Sequence, residues 1–207
     1  MSASVFRLGL RVFCWGAPVV VFAGLVGCTT PLVKPDLAHL AVQRAREHAL
    51  AAQTRWRLEG RLAVSDGRNG GSGTFEWRQD GARFRVEVHA PITGRTWTLA
   101  GDESHAVLSG VRAEPVEGAD AADLLERELG WHVPVEELST WVRGMRAAGP
   151  AEIEFRADGR PAEINQDGWK VRYRDYDSGR NPALPTKIFA DHGAWRVRVS
   201  VQRWSPR

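Results

Sequence analysis

Trp195-Arg196-Val197-Arg198-Val199-Ser200-Val201-Gln202 sets one apolar side chain against one polar side chain over eight unbroken residues. A period of two belongs to a β-strand with one face buried and the other in water. The same pattern recurs outward from this stretch. Trp56, Leu58, Gly60, Leu62 and Val64 alternate with Arg57, Glu59, Arg61 and Ala63, and Phe75 and Trp77 stand opposite Glu76 and Arg78. Phe84, Val86 and Val88 alternate with Arg83, Arg85, Glu87 and His89. Shorter strands are expected over 95–100, 104–109, 152–156, 162–166, 169–176 and 186–190, with the last running over 194–204. Asp80-Gly81, Asp158-Gly159 and Asp167-Gly168 supply tight turns. The glycine-rich run 67–73 reads as a longer loop between neighbouring strands. The fold class is therefore mainly β with helices, an antiparallel meander of about ten strands.

Helices interrupt the pattern in two places. Asp36 is a candidate N-cap for a helix reaching about residue 55. Leu37, Leu40, Ala41, Arg44, Ala45, His48 and Ala52 form its mild, mostly small-residue face, expected to lie across something larger. Midway, a helix over 120–129 is closed by Gly130, and Pro134 opens another through about residue 143, followed by Gly144.

A large curved sheet with its apolar side chains on one surface must cover that surface. Few helices are available, so either they plug the sheet or they leave an apolar hollow. Eight tryptophans, Trp56, Trp77, Trp97, Trp131, Trp141, Trp169, Trp195 and Trp204, follow the first strand onset. They suit either core packing or the aromatic lining of a ligand cavity. Candidate cavity-lining residues are Leu58, Leu62, Phe75, Trp77, Val86, Trp97, Trp141, Trp169, Val171, Tyr173, Val197 and Val199.

Catalytic constellations are missing from the sequence. Six histidines, at 39, 48, 89, 105, 132 and 192, are scattered singly and have no metal-site spacing. No phosphate-binding loop is present, and Thr74 occupies the place where a nucleophile elbow needs glycine. Asp120, Asp123, Glu126 and Glu128 read as the solvated side of a helix. No catalytic residue, cofactor or metal is expected.

The N-terminus carries an address. Residues 1–27 hold Arg7 and Arg11, no acidic residue, and an apolar run of about 15 residues broken by Gly16, Pro18 and Gly24, too short to span a bilayer. The run ends in Leu25-Val26-Gly27-Cys28, which resembles the lipobox of bacterial lipoproteins. The expected layout is a signal peptide over 1–27, a tether over 28–35 starting at lipidated Cys28, and one domain over 36–207. Thr29, standing where an inner-membrane retention signal would place aspartate, favours the outer membrane. Losing the signal leaves 180 of 207 residues and removes two arginines, so 26 basic residues face 25 acidic ones. That balance gives no case for nucleic-acid binding. Cys14 leaves with the signal and Cys28 is consumed by lipid, so the mature domain has neither disulfide nor catalytic thiol.

From Trp56 to Trp204 the chain resembles the outer-membrane lipoprotein receptor family LolB. Three blocks carry the likeness: Gly60-Arg61-Leu62-Ala63-Val64 with Phe75 and Trp77; Pro134 with Leu138, Trp141 and Gly144; and Gly168-Trp169-Lys170-Val171 through Tyr173, Tyr176 and Asp177 to Pro182-Ala183-Leu184-Pro185. Arg146 departs from a proline common in the family, and Pro91-Ile92-Thr93-Gly94 is one residue longer than the family's Pro-Leu-Gly. The resemblance implies an unclosed antiparallel β-barrel of about ten to eleven strands with a helix-lidded hydrophobic hollow. It implies a monomer, lipid-anchored in the outer membrane and facing the periplasm, that takes lipoprotein acyl chains from the soluble carrier LolA and passes them into the outer membrane's inner leaflet. It also implies a membrane-insertion loop at Pro91, Ile92 and Gly94. A structural lipoprotein, an adaptor with a filled barrel, is the alternative.

Overall fold

The computed structural model describes residues 32–33, 35–91 and 94–206. Cys28, the segment before it that reads as a signal peptide, and Ile92 lie outside the described residues. The described chain begins with β1 (Leu32–Val33) and α1 (Leu37–Ala51). Six strands follow: β2 (Arg55–Ser65), β3 (Gly70–Asp80), β4 (Arg83–Ala90), β5 (Arg95–Gly101), β6 (Ala106–Ser109) and β7 (Val116–Gly118). Helices α2 (Ala121–Leu129) and α3 (Val135–Trp141) then cross the sheet. The chain returns through β8 (Glu152–Arg156), β9 (Pro161–Gln166), β10 (Trp169–Asp177), β11 (Leu184–His192) and β12 (Trp195–Pro206).

All twelve strands join one antiparallel sheet in the order β1-β8-β9-β10-β11-β12-β2-β3-β4-β5-β6-β7. Two meanders are stitched together where the last strand meets the first long one, Val199 opposite Leu62 and Val197 opposite Val64. The edges, β1 and β7, do not pair with each other, so the barrel is unclosed, as expected. These two strands also exceed the expected count. They are two and three residues long, too short to show any alternation. β1 further shortens the segment read as a tether, because Leu32 and Val33 pair with Arg156 and Phe155 of β8.

Local chemistry sets the turns and helix ends. Asp167 and Gly168 both have positive φ (50° and 77°) and form the β9–β10 turn. Asp36 accepts the His39 N–H at 2.7 Å and Asp120 accepts that of Asp123 at 2.8 Å, as N-caps should. Gly130 closes α2 in the left-handed region. The first helix stops at Ala51 rather than near residue 55, because Arg55 already pairs with Asp80 in the β2–β3 ladder.

Two expectations fail for tertiary reasons. The glycine-rich run is mostly strand: β2 reaches Ser65 and β3 starts at Gly70. Its glycines permit close approach, since a Cβ on Gly71 would stand 2.4 Å from the Trp131 ring and one on Gly73 2.3 Å from the His89 carbonyl oxygen. Helix α1 also faces the other way. Gln43 and Leu50 are buried and Arg46 and Glu47 half-buried; of the expected face Leu40 alone packs on the core, whereas Leu37, Ala41, Arg44, Ala45, His48 and Ala52 are exposed. Polar hydrogen bonds to the turn after α3 turn it so: Gln43 Nε2 donates to Gly144 O at 3.1 Å, and Glu47 accepts from Arg146 at 2.7 Å.

Candidate functional site

The concave face of the sheet and the helical segment above it enclose an apolar cavity. β2 contributes Leu62 and Val64, β3 Phe75 and Trp77, β4 Val86, β5 Trp97 and Leu99, and β12 Val199. The roof is Leu125 of α2, Trp131 and Val133 of the α2–α3 linker, Val135 and Leu138 of α3, and Val142 just beyond it. Every one of these fourteen side chains is apolar. The volume open to the centre of a water molecule is ≈ 40 Å³. A water there would find none of its usual two to four polar partners, so the hollow favours apolar occupants.

The linker is what draws the roof down. Residues 131–133 alternate: Trp131 and Val133 point into the cavity, and His132 points away to stack on Trp169 (6.2 Å between ring centroids) and His192 (5.6 Å). His132 also pairs with Glu126 at 3.2 Å. Trp131 meets Trp97 edge-on at 5.7 Å, and its close fit needs the bare backbone of Gly71. One end of the roof is therefore clasped to β10 and β11 while its centre rests on β3 and β5.

The expected lining divides in two. Leu62, Phe75, Trp77, Val86, Trp97 and Val199 line the cavity. Leu58, Trp141, Trp169, Val171, Tyr173 and Val197 are instead packed in the closed core beside it. There Trp141 Nε1 donates to Gln166 Oε1 at 3.1 Å, and Tyr173 Oη donates to the Trp141 carbonyl at 2.9 Å. Burial drives the Tyr173 phenol well above its ordinary pKa and raises that of Tyr176 as well. Alternation identified which residues point inward but not how far the helices reach over them. Trp131 and Val133 were missed because a short linker has no period to read. Leu125 and Leu138 carried the amphipathic spacing of lid helices, a signal that could have placed them.

Two arginines hold α1 to α3. Arg46 Nη1 donates to Gly144 O at 2.8 Å, and its Nη2 donates to Arg143 O at 2.8 Å and Ala183 O at 2.7 Å. Arg143 Nη2 returns the favour to Leu50 O and, at 3.3 Å, to Gln53 O, close to the end of α1. Its guanidinium also lies 5.7 Å from the Trp56 ring centroid. Neither arginine forms an ion pair among the described residues. Burial, helped by repulsion from Arg46, lowers the Arg143 pKa to about 10. Carbonyl groups at a helix end carry partial negative charge and compensate such cations in part.

Next to the cavity, Trp77 and Val135 also wall an outer cleft of ≈ 290 Å³ bordered by Asp102, Glu103, Asp120, Glu136 and Glu137. Behind Leu62 and Val199 the outer face carries a groove of ≈ 390 Å³ with Arg61, Lys187, Arg198 and Pro91 on its walls. Pro91 and Gly94, the described ends of the expected insertion loop, are both exposed. Among the described residues no group of three or more His, Cys, Asp or Glu is placed to hold a metal ion.

A family model described as outer membrane lipoprotein LolB matches residues 54–204. The outer-membrane lipoprotein LolB of Xanthomonas campestris pv. campestris (strain 8004) is 36% identical over 203 residues, covering 90% of this chain and 93% of its own. That of Xylella fastidiosa (strain 9a5c) is 37% identical over 206 residues, covering 95% and 93%. Among solved structures, a LolA superfamily protein from Nitrosomonas europaea, NE2245, superposes with a TM-score of 0.52 at 10% identity, covering 82% of this chain and 93% of that one. At that identity the likeness concerns the fold alone.

Proposed function

The chain belongs to the LolB family of outer-membrane lipoproteins, and from that premise we propose that it receives the acyl chains of other lipoproteins in the cavity beneath α2 and α3 and releases them into the outer membrane. The observation that carries this reading is the wholly apolar lining under a roof that the chain itself clasps shut. In the proposed layout residues 1–27 are removed as a signal peptide, Cys28 carries the lipid anchor, and the domain from residue 36 onward does the work as a monomer. The donor is a soluble periplasmic carrier of the LolA type.

The task is transfer rather than catalysis, and it follows from the cost of wetting hydrocarbon. Each methylene exposed to water costs about 0.8 kcal/mol, so a cargo with three long chains could not cross the periplasm free. Movement must run from one apolar hollow straight into the next. A small cavity is also what the adaptor alternative would show, because a filled barrel leaves little space. The two readings separate in one experiment on the domain lacking Cys28. Binding of a fluorescent acyl probe, followed by cargo transfer from carrier to domain and from domain to liposomes, supports the receptor. A folded domain that binds no probe and takes no cargo would leave the adaptor.

A further inference from the structure

Helix α1 is packed with its polarity reversed. At about 100° per residue, Gln43, Arg46, Glu47 and Leu50 face the domain, the first three tied to the end of α3 by hydrogen bonds. The opposite arc carries Leu37 and Val42 with alanines 38, 41, 45 and 49 and His48 between them, and the exposed Arg44 flanks it beside Leu37. Leu37 is 87% and Val42 61% exposed, and they are the two large hydrophobic residues standing in solvent among those described. No carboxylate lies on that arc, since Glu47 is turned inward onto Arg146.

The position of α1 says what covers this face. Leu32 and Val33 pair with β8, so the chain is fastened to the sheet four residues after Cys28. Four residues span at most about 14 Å. His39, in the first turn of α1, stacks on Phe155 of β8 with ring centroids 5.3 Å apart. The start of α1 and the lipid attachment therefore share one corner of the domain. A soluble partner docking there would have to wedge itself between the domain and the membrane.

We propose that α1 lies along the phospholipid leaflet that holds the Cys28 anchor, its Leu37 and Val42 side chains reaching the acyl boundary. This rests on lipidation of Cys28 in the reading above and not on acyl transfer. The anchor already supplies retention, so the contribution of α1 is orientation: a lipid on a short strand fixes distance, and a second, extended contact fixes which side of the domain faces the bilayer. An arc built mostly of alanines is suited to shallow contact, and absence of carboxylates avoids repulsion from anionic headgroups.

With Cys28 acylated, the mature chain has no other cysteine, so single labels can be placed by Val42→Cys and, as an outward-facing control on β4, Glu87→Cys. The lipidated chain is reconstituted in vesicles of phosphatidylethanolamine and phosphatidylglycerol, and a polarity-sensitive fluorophore at each site is challenged with lipid-borne and water-borne quenchers. The expected result is several-fold stronger lipid-borne quenching at 42 than at 87. A companion double variant, Leu37→Glu with Val42→Glu, changes only exposed positions and should keep the thermal midpoint while raising hydrogen exchange of α1 amides on vesicles. Equal quenching at 42 and 87, or protection of 42 by the carrier protein and not by vesicles, overturns the proposal. If 42 stays in water while cargo delivery proceeds, the receptor reading stands and this one falls. Lipid protection of 42 in a protein that takes up no cargo would do the reverse.

Discussion

Replacing Arg46 with methionine should destabilise the domain by about 1–3 kcal/mol, whereas Arg143→Met should change stability by no more than about 1 kcal/mol. Arg143 is buried and Arg46 half-buried, both lack carboxylate partners among the described residues, and both donate to main-chain carbonyls near the end of the other's helix, Arg46 to Ala183 O as well. The asymmetry lies in what each leaves behind. Without Arg46, Gly144 O keeps Gln43 Nε2 at 3.1 Å, but Arg143 O and Ala183 O lose their side-chain donors. A buried acceptor left unpaired costs about 1–3 kcal/mol; Arg143 is buried and Ala183 half-buried, so the second carbonyl costs less, and relief of the half-buried Arg46 cation offsets part of the sum. Without Arg143, Leu50 O still accepts Gln53 N–H at 2.9 Å, and Gln53 is exposed, so its carbonyl can turn to water. The lowering of the Arg143 pKa to about 10, caused by burial and then by repulsion from Arg46, corresponds to roughly 3 kcal/mol of penalty on the charged form. Its removal compensates for the lost bonds and for a cation–π contact of about 0.5–2 kcal/mol. Urea denaturation of the domain at neutral pH measures both. Against a typical total of about 5–15 kcal/mol, the Arg46 effect would shift the midpoint plainly. An Arg46→Met protein within about 0.5 kcal/mol of the parent, or one more stable than Arg143→Met, would refute the reasoning.

Val133→Phe adds bulk to the cavity roof; it should cost about 1–3 kcal/mol yet leave the domain folded, and weaken acyl-probe binding by about tenfold or more, so unchanged affinity would remove Val133 from the site. At alkaline pH the two buried phenols, Tyr173 and Tyr176, keep their protons in the folded state above the ordinary value of 10.0; the stability they contribute is present below pH 10 and declines as pH rises further. Arg143 and Arg46, whose pKa values burial lowers, act in the opposite sense as pH rises above 10, so the phenols are isolated by substitution: relative to the parent, Tyr176→Phe should remove up to about 1.4 kcal/mol per pH unit of downward slope; an identical slope in denaturation series would contradict this. Ile92→Glu should leave uptake from the carrier intact and slow release into liposomes, and equal loss in both steps, or in neither, would strip that loop of its delivery role.

Much of the sheet was readable because a strand's period of two is a local property that burial on one face imposes on every long strand. Trp195 to Val201 alternates as read, until a bulge between Val201 and Arg203 turns Trp204 inward instead. What escaped was decided by contacts distant in sequence. The small-residue face of α1 looked like the buried one because alanines usually point inward, and nothing near it in sequence reveals that Gln43, Arg46 and Glu47 would find partners about a hundred residues later. The glycines at 70, 71 and 73 read as loop because their reason for being small, the approach of Trp131 and of neighbouring backbone, belongs to other elements. The division of inward-facing residues into cavity and closed core was hidden in the same way. Val197 and Val199 are indistinguishable by pattern, yet only the second lies beneath the roof.

The cavity's small size bears on how cargo could enter. A hollow of ≈ 40 Å³ cannot hold a long acyl chain without displacement of the roof, so uptake requires separating α2, α3 and their linker from β3 and β5. The forces holding them are contacts such as Trp131 against Trp97 and the His132 stack on Trp169, each worth about 0.5–1.5 kcal/mol beyond area burial. One chain of about 15 methylenes brings roughly 12 kcal/mol if it leaves water for the hollow, more than enough to wedge the roof open. When it comes from another apolar hollow that gain nearly vanishes, because both ends of the transfer are dry. The work of opening must then be matched by contacts with the carrier or by the bilayer that finally accepts the chain. Under that balance a resting cavity that is almost closed is an advantage: an empty receptor exposes little apolar surface to the periplasm, and it opens only when a second hydrophobic surface is already in place.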